Sequence, residues 1–313
     1  MKAKPITVMG IFVADLAFRT KSLPVWGETV LGSDFRLGPG GKGSNQSVAA
    51  ARLGAKVSLI SKVGDDSFAD MARRTYEEEG IDTRFLIRSP GHTTGAAAII
   101  VQQSSGENAI IVASGAANAL TCEEIDQARD QIQASALFMT QLELPVPLVE
   151  YGLKTARALD IPTILNPAPA CELNDSIFEL CDYITPNESE AATLTGYPVV
   201  SLEDAEKAAS NLLARGVRNV ILTRGAQGAL VKTRSFTENI DAFDAGPVVD
   251  TTGAGDAFNG GLAVALSEGL SVVEATRFGC VVAGLSVTRH GTAPSMPRRA
   301  EVERLRQSLP QSK

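Results

Sequence analysis

Short apolar runs alternate with helix-like stretches along most of this chain, and that alternation limits the fold more than any other feature. ITVMGIFVADL (residues 6–16) reads as a buried strand, and NQSVAAARLGA (45–55) as an Ala-rich helix. KVSLISKVG (56–64) reads as a second buried strand, followed by a helix over 67–79 that stops at Gly80. The grammar recurs in ALFMTQLEL with a helix over 146–159, in PTILNPAP, in YITPN with a helix over 188–195, and in NVILTRG after a helix near 205–215. Helices follow over 255–267 and 271–288. The expected fold class is α/β, Rossmann-like, with a largely parallel sheet flanked by helices on both faces.

Two segments break the pattern. Residues 29–37 and 93–112 (TTGAAAIIVQQSSGENAIIV) read as strands without intervening helices, the second with an SSGEN turn. They predict a small antiparallel β lid, built from segments near 15–40 and 93–112, on a single domain covering 1–313.

A net charge of -7 and the lack of any basic run argue against nucleic acid as a partner. An anionic ligand must then be held by local amides and a few chosen cations. The four cysteines are scattered without a CxxC pair, which fits reduced thiols. With only His92 and His290, a Ser-His-Asp triad or a His-rich metal site is poorly supported. Asp15 interrupts the apolar stretch at the N-terminus and no A-x-A site follows, so no secretion signal is expected. No window reaches the length of a membrane span, and the expected compartment is the cytoplasm.

LGPGGKGSNQ (37–46) matches GxGxxG through Gly38, Gly40 and Gly43, with Asp65 near the place of a ribose acid. The strand before it is polar and alternating, however, whereas a dinucleotide fingerprint follows a buried parallel strand. A Walker A loop fails too, because Gly43 rather than Ser or Thr follows Lys42. What remains is a glycine turn at a helix start, open to close approach by a small polar ligand.

DTTGAGDAF (250–258) has the same physics. The amides of Gly253, Ala254 and Gly255, uncovered by side chains at a helix N-terminus, make a candidate anion hole. Asp256 in the first turn suits either a general base or a plain helix-capping residue. TPNESE offers Asn187 and Glu190 for a hydrated magnesium ion, or a helix cap. LTRGAQGAL offers Thr223, Gly225 and Gly228 for a nucleotide edge, or a hairpin turn. Glu143 in QLE lies at a strand end, where an acid can receive sugar hydroxyls. All these stretches fall at expected C-terminal strand ends, where ligands sit in open α/β sheets.

Taken in order, GGKGSNQ, PNESE and DTTGAGDAFNGG resemble the PfkB carbohydrate kinase family, and within it the ribokinases, from about residue 6 to 297. The resemblance implies an ATP-dependent sugar kinase in which Asp256 deprotonates the primary hydroxyl of a pentose beside the Gly253–Gly255 anion hole. It implies sugar contacts from Asp15, Gly40, Gly41, Lys42, Asn45 and Glu143. ATP contacts would come from Asn187, Thr223, Gly225, Gly228 and Gly255, with Glu190 holding Mg2+ through water. A potassium site would use Asp250, Thr252, Ser286, Arg289, Gly291 and Ser295. It also implies a homodimer joined through the β lid. Val13 stands where ribokinases usually carry Asn, so 2-deoxyribose stays open beside D-ribose. A nucleoside kinase of the same family, a dinucleotide-dependent oxidoreductase and a noncatalytic sugar-binding regulator are the competing readings.

Overall fold

The computed structural model describes residues 4–104 and 107–308. Its strands are β1 (Ile6–Met9), β2 (Val13–Thr20), β3 (Asp34–Gly40), β4 (Val57–Val63), β5 (Leu86–Arg88), β6 (Thr94–Gln102), β7 (Asn108–Gly115), β8 (Leu137–Gln141), β9 (Thr163–Asn166), β10 (Tyr183–Ile184), β11 (Asn219–Thr223), β12 (Ala229–Thr233) and β13 (Thr237–Ile240). The larger sheet runs β13-β12-β11-β10-β9-β8-β1-β4-β5, parallel from β5 to β11, with β12 and β13 antiparallel at one edge. The smaller sheet runs β3-β2-β6-β7, antiparallel at its two outer pairs and parallel between β2 and β6.

Helices cover both faces of the larger sheet. They are α1 (Lys42–Arg52), α2 (Ser67–Glu78), α3 (Cys122–Asp126), α4 (Arg129–Gln133), α5 (Val146–Ala158), α6 (Asp175–Phe178), α7 (Glu188–Thr195), α8 (Leu202–Ala214), α9 (Ala254–Ser267), α10 (Val272–Ser286) and α11 (Arg299–Ser308). Strand residues alternate between two cores, as a pleated strand requires. Ile6, Val8, Leu137 and Met139 pack with α1, α9 and α10 on one side, while Met9 and Phe138 pack with α5 and α8 on the other. Burial on both faces explains why these strands read as unbroken apolar runs.

The structure corrects the sequence reading at several points. The run 6–16 is two strands in different sheets: β1 ends at Met9 and β2 begins at Val13. At Gly10 the backbone is packed too closely to carry a side chain, since a Cβ there would meet Gln141 Oε1 at 2.4 Å and Gly43 Cα at 2.8 Å. The strand expected at 29–37 starts only at Asp34 and runs on to Gly40. The helix expected from Asn45 starts at Lys42, directly after Gly41, which has φ 90°. The glycine-rich loop therefore follows a lid strand rather than a strand of the larger sheet. Strand β12 (ALVKT), a short apolar start running into polar residues, and β13 (TENI), mostly polar, escaped the reading, as did the short helices α3, α4 and α6. Ser105 and Gly106 of the expected SSGEN turn lie outside the described residues.

The break at Gly10 places the site. It lets the chain leave the larger sheet at the C-terminal end of β1, form the lid, and return at Gly41 to start α1 against the same strand end; the Ser44 amide there donates to the Ile11 carbonyl at 3.2 Å.

Candidate active site

The N-terminus of α9 faces that of α1 across the ends of β8 and β9. Gly253 is the N-cap of α9 with φ 81°, and no side chain caps the helix. A Cβ at Gly255 would meet nothing within 4 Å, so the surface over its amide is open. The Ala254 amide is turned to the Thr251 carbonyl at 3.2 Å, which leaves Gly253 and Gly255 as the better-placed amides of the expected anion hole.

Asp256 is buried in the first turn of α9. Its side chain is held by two amides: Asn45 Nδ2 donates to Oδ2 at 2.9 Å and Gln46 Nε2 to Oδ1 at 3.0 Å. Behind it lies a network that sequence reasoning missed. Gln141 Nε2 donates to Gln46 Oε1 at 2.6 Å, Gln46 Nε2 also donates to Asn166 Oδ1 at 3.1 Å, and Asn166 Nδ2 donates to the Thr185 carbonyl at 3.2 Å. Each link fixes the next: Gln46 must aim its nitrogen at Asp256, because its oxygen already accepts from Gln141. On the α9 side, Thr185 Oγ1 donates to Asn259 Oδ1 at 2.7 Å and Asn259 Nδ2 donates to the Gly255 carbonyl at 2.8 Å. The one sequence signal was the polar residue closing each apolar strand, in LFMTQ, TILN and YIT.

Glu143 and Lys42 meet at the start of α1. The Lys42 amide donates to Glu143 Oε2 at 2.8 Å, so the carboxylate caps a helix that has no side-chain cap of its own. Burial lifts the Glu143 carboxyl to about 7, against the pull of Lys42 and with a push from the Asp256 charge. Burial also works against the Lys42 ammonium, but Asp256, Glu143 and Glu190 together outweigh it and raise its proton affinity. Lys42 is thus the cation common to three expected site carboxylates.

Asp15 projects from β2 onto bare backbone, since a Cβ on Gly40 would fall 2.1–2.3 Å from its carboxylate atoms. Its carboxyl is raised to about 6 by burial, with Thr292 lowering it and Asp256 raising it. Val13 is buried on the same face of β2, two residues before Asp15, against Gly95 of β6.

Asn187 and Glu190 form the N-terminal capping box of α7, with the Glu190 amide donating to Asn187 Oδ1 at 2.8 Å and the Asn187 amide to Glu190 Oε2 at 2.9 Å. Burial raises the Glu190 carboxyl, opposed by the Asn187 hydrogen bond and by Lys42. A bridge joins Asn187 to Thr223, bringing two of the expected nucleotide positions together. Gly225 opens a short 3-10 turn, and Gly228 ends it with φ 85°, where a Cβ would meet the Ile240 carbonyl at 2.0 Å. That crowding explains Gly228 without a ligand.

Beyond α10, Asp250 lies against the loop 287–295. The Gly291 amide donates to its Oδ2 at 3.0 Å and the Thr252 amide to its Oδ1 at 2.9 Å. Burial works to raise the carboxyl, but these hydrogen bonds, with His290 nearby, hold it below its ordinary value. The Ser286 and Ser295 hydroxyls donate to the Ala283 and Thr292 carbonyls, at 2.8 Å each, so their oxygens remain acceptors. The Arg289 guanidinium is turned away to Glu301, leaving only its carbonyl for a cation. Arg52 at the end of α1 ties this loop down by donating to the carbonyls of Ala293 and Met296, at 3.0 and 2.8 Å. Asp65, the residue expected for a dinucleotide, is exposed and lies 3.6 Å from Arg88.

Comparison with known proteins gives a consistent result. The profile described as "pfkB family carbohydrate kinase" matches residues 3–299. The chain is 42% identical to a ribokinase of Haemophilus influenzae over 95% of its length and 97% of that protein's. It is 39% identical to a deoxyribokinase of Salmonella typhi over 93% and 95%. The solved structure of Arabidopsis thaliana ribokinase complexed with ribose and ATP superposes with a TM-score of 0.91 at 29% identity, covering 97% of this chain and 98% of that one.

Proposed function

The chain belongs to the pfkB family of carbohydrate kinases, and from that premise we propose that it transfers the γ-phosphoryl group of ATP to the primary hydroxyl of D-ribose, giving D-ribose 5-phosphate and ADP. The observation that carries this reading is Asp256, a buried carboxylate held by the Asn45 and Gln46 amides at the open N-terminus of α9.

In this mechanism the sugar lies between the lid and α1, contacted by Asp15, the Gly40–Gly41 backbone, Lys42, Asn45 and Glu143. Asp256 takes the proton of the primary hydroxyl as its oxygen bonds to the γ-phosphorus and the bond to the β–γ bridging oxygen breaks. The amides of Gly253 and Gly255 donate to the oxygens of the transferred group. Lys42 offsets the charge gathered around Asp256. Asn187, Thr223 and Gly225 line the nucleotide side.

Glu190 would hold Mg2+ through water, a donor set that suits a cation bound mainly by phosphate and water oxygens. Bound there, Mg2+ would offset charge on the phosphate oxygens. The oxygens of Asp250, Thr252, Ser286, Arg289, Gly291 and Ser295 would suit potassium, which would brace the loop leading to α9. Faster turnover in potassium than in a bulky organic cation, at constant magnesium, tests this assignment; equal rates would refute it.

We read the chain as one domain with its lid, working in the cytoplasm. Two observations are consistent with this: the cysteines Cys122, Cys171, Cys181 and Cys280 are all free, and among the described residues no helix is long and apolar enough to cross a membrane.

A second reading, 2-deoxyribose, is favoured by Val13, which shares a face with Asp15 and cannot hydrogen-bond a hydroxyl. An ADP-release assay over a sugar panel, with Val13→Asn beside the wild type, decides between them. Ribose should lead, and the variant should move kcat/KM toward ribose by about tenfold, the scale of one hydrogen bond. No turnover with any pentose would refute both.

A further inference from the structure

Thr292 follows Gly291 in the loop after α10, and its hydroxyl reaches the lid. Oγ1 lies 3.0 Å from Asp15 Oδ2 on β2 and 3.1 Å from the Pro39 carbonyl on β3. A hydroxyl has one proton and donates to one acceptor at a time; the ionised carboxylate is the stronger acceptor, and Pro39 offers the fallback. The Asp15 carboxylate is therefore boxed, with Gly40 backbone on one side and Thr292 on another. Among the described residues no protein donor reaches Asp15 Oδ1. Asp15 and Thr292 both line a cleft of about 540 Å³ between the lid and the body of the protein.

We propose that Thr292 is a positioning residue for the sugar: its hydroxyl fixes the Asp15 carboxylate so that Oδ1 meets the sugar hydroxyls, a constraint that the apolar Val13 does not supply. This rests on the reading of Asp15 as a sugar ligand. It explains why a half-buried hydroxyl is spent on a carboxylate 277 residues away. It also assigns a role to a residue outside the glycine-rich motifs.

Other charged groups act on Asp15 as well. Asp256 of α9 raises its proton affinity, and Lys42 of α1 and Glu143 after β8 stand in the same charge cluster. Arg19, Asp34 and Arg36 of the lid, with Asp250 and His290, line the cleft. All of these stay in place when the Thr292 hydroxyl alone is removed.

Thr292→Val keeps the shape and loses the hydroxyl, while Thr292→Ser keeps it. The valine variant should raise KM for the sugar by about three- to tenfold with kcat within about twofold, and serine should restore the wild-type KM. In the free protein, the Asp15 carboxyl followed by carbon-13 NMR should titrate at higher pH in Thr292→Val and unchanged in Thr292→Ser, because the lost donor favoured the charged form. A loss of packing alone would lower thermal stability without moving that titration. Unchanged titration and unchanged KM in Thr292→Val would overturn the proposal. A moved titration in a protein that turns over no pentose would support the Thr292–Asp15 link and refute the pentose reading instead.

Discussion

Replacing Asp256 by Asn keeps the shape of the side chain and removes its basic oxygens, so binding and chemistry should separate. The variant should fold, bind sugar and ATP, and lose about 100- to 10,000-fold in kcat, the usual contribution of a general base. Rapid-quench turnover beside calorimetric binding checks this; near-normal turnover would remove Asp256 from the mechanism. Asp15 gives a prediction of opposite sign for stability. Its folded-state carboxyl is raised from 3.8 to about 6, so the stability it contributes is complete below about pH 4 and is lost as pH rises through 6. At pH 8 the half-buried charge opposes folding, and Asp15→Asn should stabilise the free protein by on the order of 1 kcal/mol. Thermal melts at pH 8 and pH 5 should show that gain shrinking as the pH falls, while sugar affinity drops. A variant less stable than the wild type at pH 8 would mean that the carboxylate is better solvated than its surroundings imply.

Helices α1 and α9 carry the two halves of the site, and they pack closely at Gly260, which brings no side chain to the contact. A Cβ on Gly260 would stand 2.5 Å from the Ala49 Cβ and 3.1 Å from the Gln46 carbonyl. Gly260→Val should therefore push α9 from α1, costing about 1–3 kcal/mol and lowering kcat by stretching the Asn45 and Gln46 contacts to Asp256. Chemical denaturation beside kinetics tests this; wild-type kcat with lowered stability would show the network absorbing the shift.

The strands buried on both faces were legible because their apolar runs are unbroken, and the glycine turns that open α1 and α9 were legible as helix starts because Gly41 and Gly253 take a positive φ just before each helix. Less visible was the break at Gly10, since ITVMGIFV stays apolar through it. The amides of Gln46, Gln141 and Asn166 could not be paired in advance either, because a polar residue at a strand end does not name a partner 95 to 120 residues away. Thr292 looked like any loop threonine for the same reason.

At the scale of the whole molecule, the lid has two unlike faces. By strand alternation and register, one carries Asp15 toward the cleft; the other carries Phe18, Phe35, Leu37 and Ile111, which are 41% to 72% exposed, with Phe18 and Leu37 also reaching the cleft edge and the tilted rings of Phe18 and Phe35 4.9 Å apart. An apolar sheet face of this kind calls for a cover, and a second copy of the lid would supply one. With a second copy as that cover, the wild type should run as a dimer in light scattering and Ile111→Glu as a monomer, with the cleft residues left in place. An identical mass for wild type and variant would remove this face from the interface.

The separations within the site also bear on how the protein is made. Asp15 meets a residue 277 positions later, and Asn45 meets one 211 positions later. During synthesis the lid and the first half of the larger sheet emerge long before their partners, so no nascent fragment carries a complete pocket. Ligand capture thus becomes a property of the finished chain alone. Bound sugar would then favour completed molecules over truncated ones by mass action, and would shield them from proteolysis where fragments stay exposed.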